Sequence, residues 1–330
     1  MVKFSTQQTI DTRVGDIKGI HDVFFNEEKH EYTDEFGNKF NSVTTIISKY
    51  HEEFDTKKMA RICAKIGKNP RHPKYQKYKG KTEKQLIKEW SDTTDISLDR
   101  GNDRHNYLED TIKSVNNYSR VKNKFINDKI FTIPDILKNT KVGVIDIDIL
   151  NKYDIVNKYP KIYNILYKLI NKGWKLYAEI GVYNNELLVS GLVDLLAIKG
   201  SKFIIIDWKT NKSDIKFKSG YFEKDINNKI TDKFIYTSKN MFYPIDNMPD
   251  SVGHKYSLQL STYAYLIELF GFEHVGMILC HIKPEDSNDI TNGKDDVNII
   301  NINYYKNEVI KMLEHHYSNL KLNNEQKLFI

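Results

Sequence analysis

The sequence predicts an α/β or α+β core built around a three-stranded meander. Three observations carry that expectation. From residue 161 to residue 322 the pattern reads helix, three strands, helix, strand, helix. The 330 residues are 40% apolar and 28% charged, an ordinary globular balance with enough apolar material for a sizeable core. No Pro/Gly/Ser linker, low-complexity tail or internal repeat divides the chain, so one main domain spanning 1–330 with insertions is expected.

The elements follow in order. Residues 30–47, HEYTDEFGNKFNSVTTII, begin as a hairpin, with Tyr32 and Phe40 flanking an Asp-Glu-Phe-Gly-Asn turn region. Ser42 then N-caps a short helix, or Val43–Ile47 forms another strand. A helix over 82–90 is followed by a polar loop, SDTTDIS, and a second helix from Leu98 or Asp99 through Thr111. Residues 112–160 read as a helical, irregular insertion. Ile162, Ile165, Leu166 and Leu169 recur at helical spacing over 161–172, and Gly173 suits the C′ position. Strands are expected over 175–183, 187–198 and 202–209. Residues 212–250 read as a long polar insertion. A helix over 255–270 stops at Gly271, 275–282 is an apolar strand, and 303–322 make a terminal helix.

Composition excludes several classes. No run approaches the roughly 18 apolar residues of a membrane span, and the first sixteen residues lack the apolar centre of a secretory signal, so a cytoplasmic protein is expected. Cys63 and Cys280 are the only cysteines, too few for a structural zinc or iron–sulfur site, and they point to a reducing compartment. The net charge of +6 is only mildly basic, but residues 65–88 carry nine Lys or Arg against one acid. Lys74, Lys77 and Tyr78 in that stretch offer phosphate neutralisation and base stacking, the alternative being a solvated basic loop.

The meander holds the strongest chemical signal. With Gly200-Ser201 as a two-residue turn, residues whose numbers sum to 401 pair, so Asp194 faces Asp207 and Lys209 projects from the same side. Two facing carboxylates repel, and burying them is costly, unless a cation lies between them. Hard oxygen ligands suit Mg²⁺ or Mn²⁺, and Lys209 is placed to orient water or stabilise developing negative charge on phosphorus-bound oxygen. The alternative is a salt-bridged hairpin end. It is opposed by the continuous apolar run from Phe203 to Ile206, which reads as a buried central strand. Glu179 lies in the preceding strand. With Asn184-Asn185 as the turn it faces Ser190, four residues along from Asp194, so that ligation needs a bulge. His105 and Glu109 share a helix face at i and i+4, with Asp103 nearby. Lys255, Gln259 and Tyr263 form a polar stripe that offers donors and a stacking ring, or simply a face turned to water.

In order, the chain presents Gly101-x3-His105, Glu179, Gly191-x2-Asp194, Asp207-x-Lys209 and Gln259-x3-Tyr263. This series resembles the RecB-like branch of the PD-(D/E)XK nuclease superfamily. The Asp-Trp-Lys-Thr, Ser-Val-Thr-Thr and Gln-Leu-Ser-Thr-Tyr runs are similar to mitochondrial genome maintenance and phage-encoded exonucleases. The resemblance covers about residues 40–282 and implies a restriction-endonuclease-like α/β core, a central mixed sheet flanked by helices. It implies Asp194, Asp207 and His105 as Mg²⁺ or Mn²⁺ ligands, Lys209 as the catalytic lysine, Glu179 as an active-site acid, and Gln259 and Tyr263 as groups that position DNA or the lysine. Val193 stands where the superfamily's name has proline. The cysteine cluster of iron–sulfur members is missing. The expected function is a metal-dependent DNA exonuclease acting on single strands or duplex ends in replication, recombination or repair. The alternatives are a structure-specific endonuclease and a catalytically inactive DNA-binding accessory protein. Abundant Lys, Asn and Ile point to an AT-rich source such as a phage, which would place the protein in its host's cytoplasm.

Overall fold

The meander forms because its turn signals are local and its apolar runs are long. β5 (Lys175–Asn184), β6 (Val189–Lys199) and β7 (Lys202–Lys209) are consecutive antiparallel strands. Gly200 takes φ +59°, a conformation that glycine adopts without a Cβ penalty, and closes the two-residue turn between β6 and β7. The computed structural model describes residues 22–26, 29, 31–113, 128–138, 150, 155–226, 229–283 and 295–327.

At the amino-terminal end, β1 (Val23–Asn26), β2 (Glu31–Asp34) and β3 (Lys39–Ser42) form an antiparallel panel, with Tyr32 opposite Phe40 as the sequence suggests. Ser42 then caps α1 (Val43–Ser48) by accepting from the Thr45 amide at 3.0 Å, which decides for the helix over the strand. α2 (Thr56–Ile66) and α3 (Tyr75–Tyr78) lead into α4 (Glu83–Lys113). β4 (Asp128–Lys129), α5 (Ile133–Leu137) and α6 (Ile155–Lys158) are the described parts of the expected 112–160 insertion, and the rest of it lies outside the described residues. α7 (Pro160–Asn171) precedes the meander, and Gly173 takes φ +80° behind it. β8 (Gly220–Lys224) and β9 (Ile230–Tyr236) make a separate two-stranded hairpin. α8 (Val252–Glu268), β10 (Glu273–Lys283), β11 (Asp296–Asn301) and α9 (Lys306–Lys327) complete the chain.

The result is an α/β fold with a mixed central sheet. Its order is β11-β10-β7-β6-β3-β2-β1-β4, with β5 on the other edge of β6. β7 pairs parallel with β10, and β3 parallel with β6; the remaining ladders are antiparallel. Helices cover both faces. Phe203, Ile205 and Leu196 pack with Leu258 of α8, Met312 of α9 and Ile46 of α1. Ile206, Trp208 and Leu195 pack on the opposite face with Ile162 and Leu166 of α7 and Leu108 of α4. Full burial of a side chain such as Phe203 contributes about 1.5–3 kcal/mol. Among the described residues, no helix is long and apolar enough to cross a membrane.

Two expectations about helices are corrected. The polar run SDTTDIS is not a loop: α4 continues through it for 31 residues. Its hydroxyls bond back along the helix, Thr93 to the Glu89 carbonyl at 2.7 Å, Thr94 to Trp90 at 2.9 Å and Ser97 to Thr93 at 2.8 Å. α8 is also not a helix with one wet side. It lies between the sheet and α9, and residues from Gly253 through Ile267 are buried nearly all round.

Candidate active site

β6 has two neighbours on one of its edges. Its carboxyl-terminal half pairs with β7, from Lys199↔Lys202 to Leu195↔Ile206, each pair summing to 401. Its amino-terminal end pairs with β3 through Val189 and Ser190. β5 occupies the whole of the other edge. Residues 191–194 therefore border an opening where β7 has left β6 and β3 has not yet joined it. Asp194 and Asp207 occupy the next position in the 401 register, just past the last ladder pair. There the Asp194 carboxylate replaces the ladder, accepting from the Trp208 amide at 2.9 Å.

Asp207 is 1% exposed, and its Oδ2 stands 2.7 Å from Nζ of Lys209. Burial works against the charge on Lys209, but Asp207 and then Asp194 outweigh it and raise its pKa above the ordinary lysine value. Lys209 is thus an ammonium at neutral pH, an electrophile and not a base. The Tyr256 ring lies 5.2 Å from its Nζ. Tyr256 is fixed in turn by donating its hydroxyl to Oδ1 of Asn211 at 2.9 Å, and the Asn211 carbonyl meets Nε2 of His281 at 2.8 Å.

Glu179 sits closer to Asp194 than the sequence indicated. The β5–β6 turn is longer than an Asn184-Asn185 turn, because Asn184 pairs with Val189 and Tyr183 with Ser190. The expected Glu179–Ser190 pairing is corrected: Ala178↔Leu195 and Ile180↔Val193 bracket a position where Glu179 meets Asp194. Glu179 takes φ +52°, a strained conformation for a residue with a Cβ, and is buried. The kink shifts the strand's alternation. Leu176 and Ala178 belong to the α7 side, whereas Ile180 and Val182 beyond it belong to the α8 side.

Two tyrosines converge on these carboxylates. Tyr32 of β2 is buried, and its pKa is raised by burial and by the negative charges of Glu179 and Asp194. Tyr263 of α8 is 4% exposed, and its pKa is raised by burial, Tyr32 and the two aspartates, against the hydrogen bond from Gln259. Both hydroxyls stay protonated. Gln259 Nε2 donates to the Tyr263 hydroxyl at 2.9 Å. The Tyr263 ring fills the space where a Gly191 side chain would begin: a Cβ there would lie 3.1 Å from Cζ and 3.2 Å from the hydroxyl, and closer still to Cε1. The expectation that Gln259 and Tyr263 present a donor and a stacking ring to nucleic acid is therefore corrected. Both are buried because α8 is covered on both sides, and they brace the β6 opening instead. Lys255, at the start of the same helix, is ion-paired with Asp250 at 2.9 Å.

A cleft of about 420 Å³ opens at Lys209. Thr93, Ser97 and Asn102 of α4 form one wall, and Lys209, Asn211 and Tyr256 the other. Gly101 allows this approach, since a Cβ there would stand 2.9 Å from Oγ1 of Thr210. Arg104 anchors α4 through a buried bidentate pair with Asp295, at 2.8 and 2.9 Å, and Tyr159 donates to the same carboxylate at 3.0 Å. His105 lies on the next position of α4, and its side chain, like that of Glu109, lies outside the described residues.

The donor set around the opening suits a hard divalent cation of the Mg²⁺ kind, which takes one or two carboxylates with water and substrate oxygens completing its shell. Among the described residues, no three His, Cys, Asp or Glu side chains form a ready-made metal cage. Cys280 of β10 pairs with Trp208, and burial, with Asp207 and Asp194 nearby, pushes its thiol pKa up, so it is an inert thiol.

The basic segment lies apart from this opening. Tyr78 is half-buried and packs against the small core of Leu86 and Ala60. Lys77 donates to the Asp225 carbonyl at 3.1 Å, and Lys74 is exposed.

Sequence reasoning missed Tyr32, Asn211, Tyr256 and the α4 hydroxyls. Tyr32 was visible as a hairpin residue, but nothing local ties that hairpin to Glu179 and Asp194 in strands far along the chain. No family model, curated protein or solved structure matches this chain.

Proposed function

We propose that the chain is a metal-dependent deoxyribonuclease with a PD-(D/E)XK core of the RecB-like kind, hydrolysing phosphodiester bonds of single strands or duplex ends. The observation that carries this reading is the set of Asp194, Asp207 and Lys209 at one break in the sheet, with an ammonium fixed by Asp207 at the mouth of a cleft. An acidic pair, Asp207 buried and Asp194 half-buried, beside a cationic donor is the arrangement that cleavage of a phosphodiester needs: anionic ligands for a cation, and a fixed positive charge for the oxygens that gain charge.

Asp194 and Asp207 would hold Mg²⁺ or Mn²⁺, which when bound neutralises phosphate charge and lowers the pKa of water. Lys209 donates to a non-bridging phosphate oxygen, held in aim by Asp207 and the Tyr256 ring. Glu179, buried and facing Asp194, receives a proton as the oxygen of the attacking water bonds to phosphorus; the bond from phosphorus to the leaving sugar oxygen breaks, and that oxygen takes its proton from solvent water. The cleft wall of Thr93, Ser97 and Asn102 supplies polar contacts for the sugar–phosphate chain, contacts that position without reading sequence.

Digestion of end-labelled linear and circular DNA, single- and double-stranded, tests the reading with Mg²⁺, with Mn²⁺ and with chelator. Release of nucleotides from linear substrates only, stopped by chelation and restored by either ion, is expected. Cutting of circles would make the enzyme an endonuclease, and binding without cutting under any ion would refute a nuclease.

A further inference from the structure

The hairpin of β8 and β9 stands outside the central sheet. An isolated two-stranded hairpin is marginal in water and needs a reason to persist. One face of this one is a row of rings. Phe222 pairs across the ladder with Phe234 at a centroid distance of 5.0 Å, and Phe234 meets Tyr236 at 5.0 Å. Gly220 keeps the row open. Its φ is +155°, and a Cβ there would stand 2.5 and 2.7 Å from the Phe234 ring. Two ammonium groups border the rings, Lys216 at 5.5 Å from the Phe222 centroid and Lys218 at 5.6 Å from Tyr236. Tyr236, at the end of the row, is 66% exposed.

The hairpin is held at both ends. At its base the Lys216 carbonyl accepts from the Gly253 amide at 3.0 Å, at the start of the helix that carries Tyr256, and Thr237 donates its amide to the Ser219 carbonyl at 2.9 Å. Near its tip the Asp225 carbonyl accepts from Lys77 at 3.1 Å, linking the hairpin to the basic segment. Lys74, Lys77 and Lys224 crowd together there; burial and then these like charges lower the pKa of Lys77. Residues 212–239 carry seven lysines against four acids.

We propose that this hairpin is a docking arm for single-stranded polynucleotide, which lays its bases on the Phe222–Phe234–Tyr236 row and its phosphates against Lys216 and Lys218. Unpaired bases stack on any ring, whatever their sequence, and bordering lysines take the backbone charge. A duplex has no exposed base faces to offer such a row. The choice of a nucleic acid over another polyanion rests on the nuclease reading above. The base of the arm is bonded to the start of α8, whose Tyr256 lines the Lys209 cleft, so strand captured there is delivered toward that cleft.

The test is fluorescence anisotropy with a fluorescein-labelled oligothymidylate in chelator, where no cutting occurs. Tyr236→Ala is expected to weaken binding about fivefold or more, the loss of one stacked base. Lys216→Ala with Lys218→Ala is expected to reduce the slope of log affinity against log salt by about 1.4, two phosphate contacts on a single strand. Tyr221→Ala, on the opposite face, is expected to bind like the unaltered protein. Unchanged affinity in the Tyr236 and lysine variants, equal loss in Tyr221→Ala, or duplex bound as tightly as single strand each overturns the arm. These outcomes separate from those of the nuclease test. If the unaltered protein cuts DNA while the arm variants bind normally, the arm fails alone. If the arm variants lose affinity while the unaltered protein cuts nothing with either ion, the nuclease reading fails alone.

Discussion

Replacing Lys209 by methionine keeps most of the side-chain volume and removes the ammonium beside Asp207. The two side chains are 19% and 2% exposed. Removing one member of a buried ion pair costs about 3–5 kcal/mol, and the partial access of water to Lys209 places the loss at about 3 kcal/mol. For 330 residues at about 2.1 cal/mol/K each, the entropy of unfolding converts this to a fall in Tm of about 4 °C in chelator. The same change leaves Asp194, Asp207 and Glu179 with less positive charge among them, so the variant gains more from a divalent cation than the parent does. Mg²⁺ at about 100 times its Kd stabilises by about 2.7 kcal/mol and recovers most of the loss. Activity is not recovered: it falls by about 10²–10³, the usual cost of one lost donor to a developing oxyanion. Calorimetric scans with chelator and with Mg²⁺, paired with the end-label digestion, read both quantities. A variant whose Tm is unchanged in chelator, or depressed but indifferent to Mg²⁺, would refute the placement of these groups around one cation site.

Three further expectations follow from other contacts. Asp194→Asn retains an oxygen to accept from the Trp208 amide, so the fold and oligonucleotide binding persist by circular dichroism and anisotropy while cleavage is lost; appreciable cleavage sinks the ligand assignment. Gly191→Ala forces a methyl group into the buried Tyr263 ring, which Gln259 holds in place. A cost of about 1–3 kcal/mol is expected, largely relieved in Gly191→Ala/Tyr263→Ala, and plain additivity in that double-mutant cycle would contradict it. His254 and His316 are both held neutral by burial, which lowers their pKa values. A depressed folded-state pKa gives stability that is fully present above the unfolded value of about 6.5 and is lost as pH falls through the folded value. The Tm is therefore expected to fall as pH drops below about 6.5, less steeply in His316→Gln; a Tm that rises on acidification contradicts the sign.

The elements that the sequence revealed are those whose signals are local. The Phe203–Ile206 run and the Gly200-Ser201 turn are enough to place β7 and to set the 401 register, because turn length alone fixes pairing. Ser42 offered a helix cap, but the β-branched Val43–Ile47 run suits a strand equally well, so the choice fell to the cap seen in the structure. Glu179 was misplaced because the β5–β6 turn is longer than the Asn184-Asn185 pair suggests, Asn184 pairing with Val189, and no residue type marks a glutamate for the left-handed backbone that it adopts. The unbroken α4 was hidden because Thr and Ser usually compete with helix hydrogen bonds, whereas here they bond back to it. The burial of Gln259 and Tyr263 depends on α9 and β6 arriving on opposite sides of α8, which no pattern within the helix states. Likewise Tyr32 reaches Glu179 and Asp194 only because β3 joins β6 in parallel far along the chain.

That junction is also a short seam in the sheet. β3 holds β6 through Asn41↔Val189 and Ser42↔Ser190, with the Asn41 amide on the Leu188 carbonyl, whereas β5 and β6 are zipped from Lys175↔Ile198 to Asn184↔Val189. The amino-terminal panel also rests on β5 and β6 through Tyr32, Phe40 and Ile130 against Tyr183 and Leu192, so the short ladder is backed by a small core of its own. The tie between Tyr32 and the carboxylates therefore rests on side-chain packing more than on the ladder, and amide exchange at Asn41 and Ser42 that outpaces exchange along β5 would show it.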